Sequence, residues 1–75
     1  MPRKSKARPD LASIGRRIRE LRGGERQDDL SPELGITQGQ LSKIERGMSP
    51  PSVEVLLRLR RRFGRSIDWM LTGEG

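Results

Sequence analysis

Between Gln27 and Arg46 the chain reads QDDLSPELGITQGQLSKIER, and the spacing of apolar and small residues in this stretch admits few folds. Leu30 and Leu34 are four apart and share one face of a helix, while Leu41 and Ile44, three apart, share a face of a second. Gly35 falls between them. A helix that must stop and turn sharply ends in a left-handed residue, which glycine adopts without steric cost, and Ile36 then plugs the corner. Thr37 restarts the chain as an N-cap whose hydroxyl accepts from the next turn. Gln40, three residues on, reaches back to complete a capping box. Ser31 is small where the two helices approach most closely. The pattern is two short helices crossing at a tight turn.

The same spacing would serve a helical hairpin in a small bundle, so the exposed face has to decide between the two. With Leu41 and Ile44 turned inward, Gln38, Ser42, Lys43 and Arg46 turn outward, Gln38 at the very start of the helix. Gln pairs bidentately with adenine, Lys reaches guanine or phosphate, and Arg does either, whereas a merely solvated face would mix Glu with Lys. The segment 27–46 is therefore read as a helix-turn-helix that presents its second helix to DNA.

The flanking residues supply the support. Leu11, Ile14, Ile18 and Leu21 recur at helical spacing, with Asp10 or Ser13 as candidate caps and Gly23-Gly24 as the stop. Arg16, Arg17 and Arg19 lie on the outer face, either solvated or in reach of phosphate. Gly47 ends the reading helix and Ser49-Pro50-Pro51 forbids its continuation. Ser52 caps a fourth helix whose apolar face is expected from Val53, Leu56, Leu57 and Phe63, with Glu54 and Arg58 paired four apart. Arg58, Arg60, Arg61, Arg62 and Arg65 then place five guanidinium groups within eight residues. These complement the negative end of the helix dipole or, alternatively, offer a surface to an acidic protein partner or RNA. Gly64 closes that helix and Ser66 caps a last short one. There Ile67, Trp69, Met70 and Leu71 carry more apolar surface than a single stripe buries, leaving some for a second copy of the chain.

Composition limits the chemistry. At 75 residues there is room for one core, and with 31% apolar residues, one Trp and one Phe a large catalytic cavity is not expected. The chain has no Cys and no His, which removes disulfides, thiolate zinc sites, imidazole bases and His-containing triads. Asp28 and Asp29 fall in the first turn of a helix, where negative charge complements exposed backbone donors. Neither catalysis, a metal nor a cofactor is expected. Uninterrupted apolar runs reach only three residues, as at Val55 to Leu57, so no membrane span or signal-peptide core is read, and a cytoplasmic location is expected.

The net charge of +6 is placed unevenly. Residues 1–22 hold eight Lys or Arg against two Asp or Glu, and residues 23–75 hold eight against eight. Arg3, Lys4, Lys6 and Arg8, flanked by Pro2 and Pro9, make residues 1–9 a basic arm, expected to be disordered alone and either to lie along a DNA groove in a complex or to serve only as a solubility tail. Residues 10–75 form the domain.

Taken together, Gln27, Ser31, Gly35-Ile36-Thr37, Leu41-Ser42-Lys43-Ile44-Glu45-Arg46-Gly47, Ser49-Pro50-Pro51-Ser52 and Ile67-Asp68-Trp69-Met70-Leu71-Thr72-Gly73 resemble the phage-repressor and Cro-like helix-turn-helix family, of the xenobiotic-response-element type. The resemblance runs from about Ser13 to Gly73. It implies an all-α, compact five-helix, lambda-repressor-like DNA-binding domain, whose second and third helices read DNA and whose members commonly bind palindromic operators as homodimers. Carried over, it implies base contacts by Gln38, Gln40 and Lys43, with Ser42 beside them, and phosphate contacts by Gln27 and Thr37. Arg46, Arg17 and Arg22 are further phosphate candidates. It also implies a buried ion pair between Arg22 and Glu45. A transcriptional regulator, most simply a repressor, follows; the alternative is an antitoxin or adaptor that binds its partner on the Arg-rich fourth helix.

Three positions depart from the family pattern. Pro32 lies inside the second helix, where it removes a donor and crowds the preceding turn, so that helix is expected to be short or kinked. Gly39 stands where relatives often carry a base-contacting side chain. The link Gly23-Gly24-Glu25-Arg26 is shorter than usual and offers Arg before Gln27 in place of a capping Ser or Thr.

Overall fold

The computed structural model describes residues 10–75, which form five α-helices and a 3₁₀ turn with no strand among the described residues. In chain order they are α1 (Leu11–Arg22), α2 (Gln27–Leu30), the 3₁₀ turn η1 (Ser31–Leu34), α3 (Gln38–Glu45), α4 (Val53–Phe63) and α5 (Ile67–Thr72). The basic segment 1–9, with Arg3, Lys4, Lys6 and Arg8, lies outside the described residues.

Each helix begins where a side chain can satisfy its first amides, with one exception. Asp10, not Ser13, caps α1, its carboxylate accepting from the Ser13 amide and hydroxyl. Those two bonds, the hydroxyl's first, hold the Asp10 carboxyl below the ordinary carboxylate value. Ser52 and Ser66 cap α4 and α5 in the same way. Arg26, at the start of α2, makes no side-chain cap bond, and Asp28 and Asp29 supply negative charge to that first turn instead.

Pro32 has the effect expected of it. The α-helical geometry of α2 ends at Leu30 and the chain tightens into η1, with Pro32 in the first turn of the new element, where a missing amide costs least. Leu30 and Leu34 are fully buried on the same side, and Ser31 is buried between them. The turn at Gly35 is left-handed, with φ of 76°, and Ile36 packs against the core from the corner.

The core gathers Ile14 and Ile18 from α1, Leu30 and Leu34, Leu41 and Ile44 from α3, Val55, Leu56 and Leu59 from α4, and Met70 from α5. Helix α1 packs on α3 and α5, and α4 packs on η1 and α5. The inner face of α4 differs from the sequence expectation. Leu56 is buried and Phe63 packs at the edge, but Val53 is 72% and Leu57 39% exposed, while Val55 and Leu59 take the core positions. Apolar residues surround the N-terminal half of α4, so both stripes have helical spacing and only packing on η1 and α5 selects one.

Two glycines set the distance between α1 and the end of α3. A Cβ on Gly15 would overlap the Ile44 carbonyl oxygen and come within 2.6 Å of the Glu45 carbonyl oxygen. Gly47, at φ of 76°, lets the chain leave α3 against Ala12, where a Cβ would lie 2.8 Å from the Ala12 Cα. The backbone closes the helix there, Gly47 N–H donating to the Ile44 carbonyl and Met48 N–H to the Lys43 carbonyl.

Candidate nucleic-acid interface

Helix α3 is held at both ends, and its outer face is open. At its start Thr37 Oγ1 accepts from the Gln40 amide at 3.1 Å, and Gln40 Oε1 accepts from the Thr37 amide at 2.8 Å, so the capping box is complete. Gln38, Gln40, Lys43 and Arg46 are exposed along one side, and Ser42 among them is half-buried. Gln40 uses its oxygen in the cap, which leaves its amide nitrogen to donate. Arg46 lies over the end of the helix, its Nε 3.4 Å from the Ser42 carbonyl oxygen.

Behind that face lies an ion pair. Arg22 donates from Nε and Nη2 to the two oxygens of Glu45, at 2.7 and 2.9 Å, joining α1 to the last turn of α3. Arg22 Nη1 also donates to the Glu25 carbonyl at 2.6 Å, which closes the short link between α1 and α2 around the guanidinium. Hydrogen bonding to Glu45 raises the Arg22 pKa above its ordinary value. The side chains are 14% and 4% exposed, so Arg22 faces the interior, and a phosphate contact by this residue is not retained. Gln27 Nε2 donates to the same carboxylate, at 2.9 Å from Oε1, and Gln27 Oε1 accepts from Gln38 Nε2 at 2.6 Å. A continuous line of hydrogen bonds thus runs from the core to the first exposed residue of α3.

The remaining arginines divide. Arg17 is half-buried and donates from Nη1 to the Met70 carbonyl at 3.0 Å, clasping α5 to α1. Arg58 pairs with Glu54 at 2.7 Å. Arg62 reaches Glu33 and Glu25, each at 2.7 Å, and these two bonds raise its pKa, that to Glu33 contributing most. Arg65 lies 4.0 Å over the Trp69 ring. Arg60 and Arg61 have no carboxylate partner among the described residues. The Glu25 and Glu33 pairs went unread in the sequence, because their partner lies some thirty residues on with no periodicity to join them. Gly15 was missed for the same reason. Among the described residues no group of carboxylates is placed to hold a metal ion, and no helix is long and apolar enough to cross a membrane.

Two short helices crossing at a left-handed turn, the second capped, anchored from behind and exposed along one polar side, define a helix-turn-helix module of the kind that reads nucleic acid. The chain belongs to the helix-turn-helix family of the Cro/C1 type, whose model matches residues 16–70. That is a family of DNA-binding transcriptional regulators and not of enzymes. No curated protein matches the chain. Among solved structures it is similar to the P22 c2 repressor in complex with synthetic operator 9T, at 33% identity over 81% of this chain and 96% of that one, with a TM-score of 0.75. It is also similar to the restriction-modification controller protein C.AhdI from Aeromonas hydrophila, at 28% identity, 83% and 97% coverage and a TM-score of 0.71. SinR, the master regulator for biofilm formation, known from Bacillus subtilis, matches in its complex with DNA at 28% identity, 76% and 95% coverage and a TM-score of 0.65.

Proposed function

We propose that this protein is a cytoplasmic transcriptional repressor that binds a palindromic operator as a homodimer and acts by occluding it. The observation that carries this reading is the outer face of α3, where Gln38, Gln40 and Lys43 stand exposed on a helix fixed at both ends. In this reading Gln38, Gln40 and Lys43 contact base edges, with Ser42 at the margin, and Gln27, Thr37 and Arg46 contact phosphate. The basic arm, Arg3, Lys4, Lys6 and Arg8, adds affinity without sequence information. Residues 10–75 are the operator-binding domain.

One recognition helix spans only a few base pairs, so discrimination calls for two, with half-sites about 34 Å apart. Val53 and Leu57, four apart on the outer side of α4, give the second copy an apolar stripe to cover. The relatives solved on an operator and on DNA support the duplex as ligand.

Selection from a random duplex library at about 150 mM salt, where purely electrostatic binding is weak, tests the reading. Enrichment of a palindrome, lost in Gln38→Ala with Lys43→Ala, is the expected result. A salt-sensitive binder that enriches no motif would remove the proposal. A second reading, capture of an acidic protein partner on α4, is favoured by one observation, the unpaired Arg60 and Arg61; a similar structure is that of SinR with the SinI protein, at 29% identity. The intramolecular pairing of Arg58 and Arg62 narrows that surface to Arg60, Arg61 and Arg65. Partner capture lost in Arg61→Glu with Arg65→Glu, with duplex binding intact, would establish it.

A further inference from the structure

We infer that Glu45, a buried residue at the far end of α3, sets the base preference of Gln38. The inference rests on the reading of α3 as the operator-facing helix, and it turns on the one-way chemistry of a carboxylate. An ionised carboxylate accepts hydrogen bonds and donates none. Glu45 receives Nε and Nη2 of Arg22 and, at 2.9 Å on Oε1, Nε2 of Gln27. The Gln27 amide is therefore locked with its nitrogen inward and its oxygen toward α3. That oxygen also only accepts, so Gln38 must turn its own nitrogen to it, at 2.6 Å.

Gln38 is left with an oxygen acceptor and one N–H to show a ligand. An acceptor beside a donor matches the major-groove edge of adenine, which offers its N6 amino group and N7. The edge of guanine offers O6 and N7, both acceptors, and sets oxygen against oxygen. With the amide rotated the other way Gln38 would present two N–H groups and suit guanine instead. Through two amides, then, the negative charge in the core is passed to the surface as a choice between two purines. Glu45 is a positioning residue, since it touches no base, and the second N–H of Gln27 stays available for phosphate.

The test uses duplexes that differ only at the base pair whose preference disappears in Gln38→Ala. Wild type is expected to favour adenine over guanine there by about tenfold or more, the discrimination of one good bidentate contact. Gln27→Met cuts the line but keeps the Arg22 ion pair, and Glu45→Gln lets the Gln27 amide turn either way. Both are expected to bring the adenine-to-guanine ratio close to one while preferences at the other positions persist. If Glu45→Gln does not fold, Gln27→Met carries the test alone. A ratio unchanged in folded Gln27→Met overturns the inference, even where affinity falls uniformly for all duplexes, as does a wild type that prefers guanine. A wild type with no preference at any position overturns the operator reading and this inference with it.

Discussion

Replacing Glu45 with Ala would leave the Arg22 guanidinium facing inward with no anion, and an uncompensated charge of this kind costs about 3–5 kcal/mol. A domain of this size holds on the order of 4–11 kcal/mol in all, so Glu45→Ala is expected to stand at the margin of folding. Urea denaturation checks this, and Arg22→Met with Glu45→Leu is expected to recover most of the loss, because an apolar pair removes both charges from the interior. Gly15 makes the opposite kind of demand, for space. Gly15→Ala adds helix propensity but drives a methyl into the Ile44 and Glu45 carbonyls, and a net loss of about 1–3 kcal/mol is expected in the same assay. Nothing in the sequence singled Gly15 out, since it interrupts an otherwise regular amphipathic pattern in a helix that tolerates it.

At the level of elements, the caps are the most accessible to test. Thr37→Ala removes the capping box of α3 at a cost of about 1 kcal/mol in stability, read by thermal unfolding. The cap of α1 brings a pH dependence. The folded-state pKa of Asp10 lies below its ordinary value of 3.8, so its contribution is full above that value and is lost as pH falls through the lowered one. Wild type and Asp10→Ala are expected to differ in melting temperature at pH 7, and the difference is expected to shrink as the pH falls below 3.8. Caps, stops and the inner faces of α1, α3 and the α2 segment could be read from sequence, because each depends on residues within one or two turns. Pro32 was legible for that reason too. The inner face of α4 was not: Val53 and Leu57 compete with Val55 and Leu59 at equal helical spacing, and the choice is made by elements distant in the chain. Likewise Arg17 looked like a surface cation until its partner, the Met70 carbonyl, came into place, whereas the Arg22 and Glu45 pair was already implied by the family resemblance.

For the molecule as a whole, the reading face and the pairing face proposed above lie on different helices, α3 and α4, so the two proposals separate by mutation. Val53→Asp with Leu57→Asp is expected to give a folded monomer by sedimentation velocity, with operator affinity reduced at least a hundredfold and nonspecific binding retained. The exposure of the candidate reading face was legible in sequence because its residues lie on consecutive turns of one helix; of the line behind it only the Arg22 and Glu45 pair was, through the family resemblance, since the bonds of Gln27 to Glu45 and Gln38 join separate elements with no periodicity between them. The clasp from Arg17 to the Met70 carbonyl has a further consequence during synthesis. The residues of α1, the turn and α3 are joined well before residue 70, yet the fully buried Met70 is a member of the core on which α1 rests. A chain cut short before that residue therefore keeps the candidate reading face of α3 but lacks the completed core that would hold it in register.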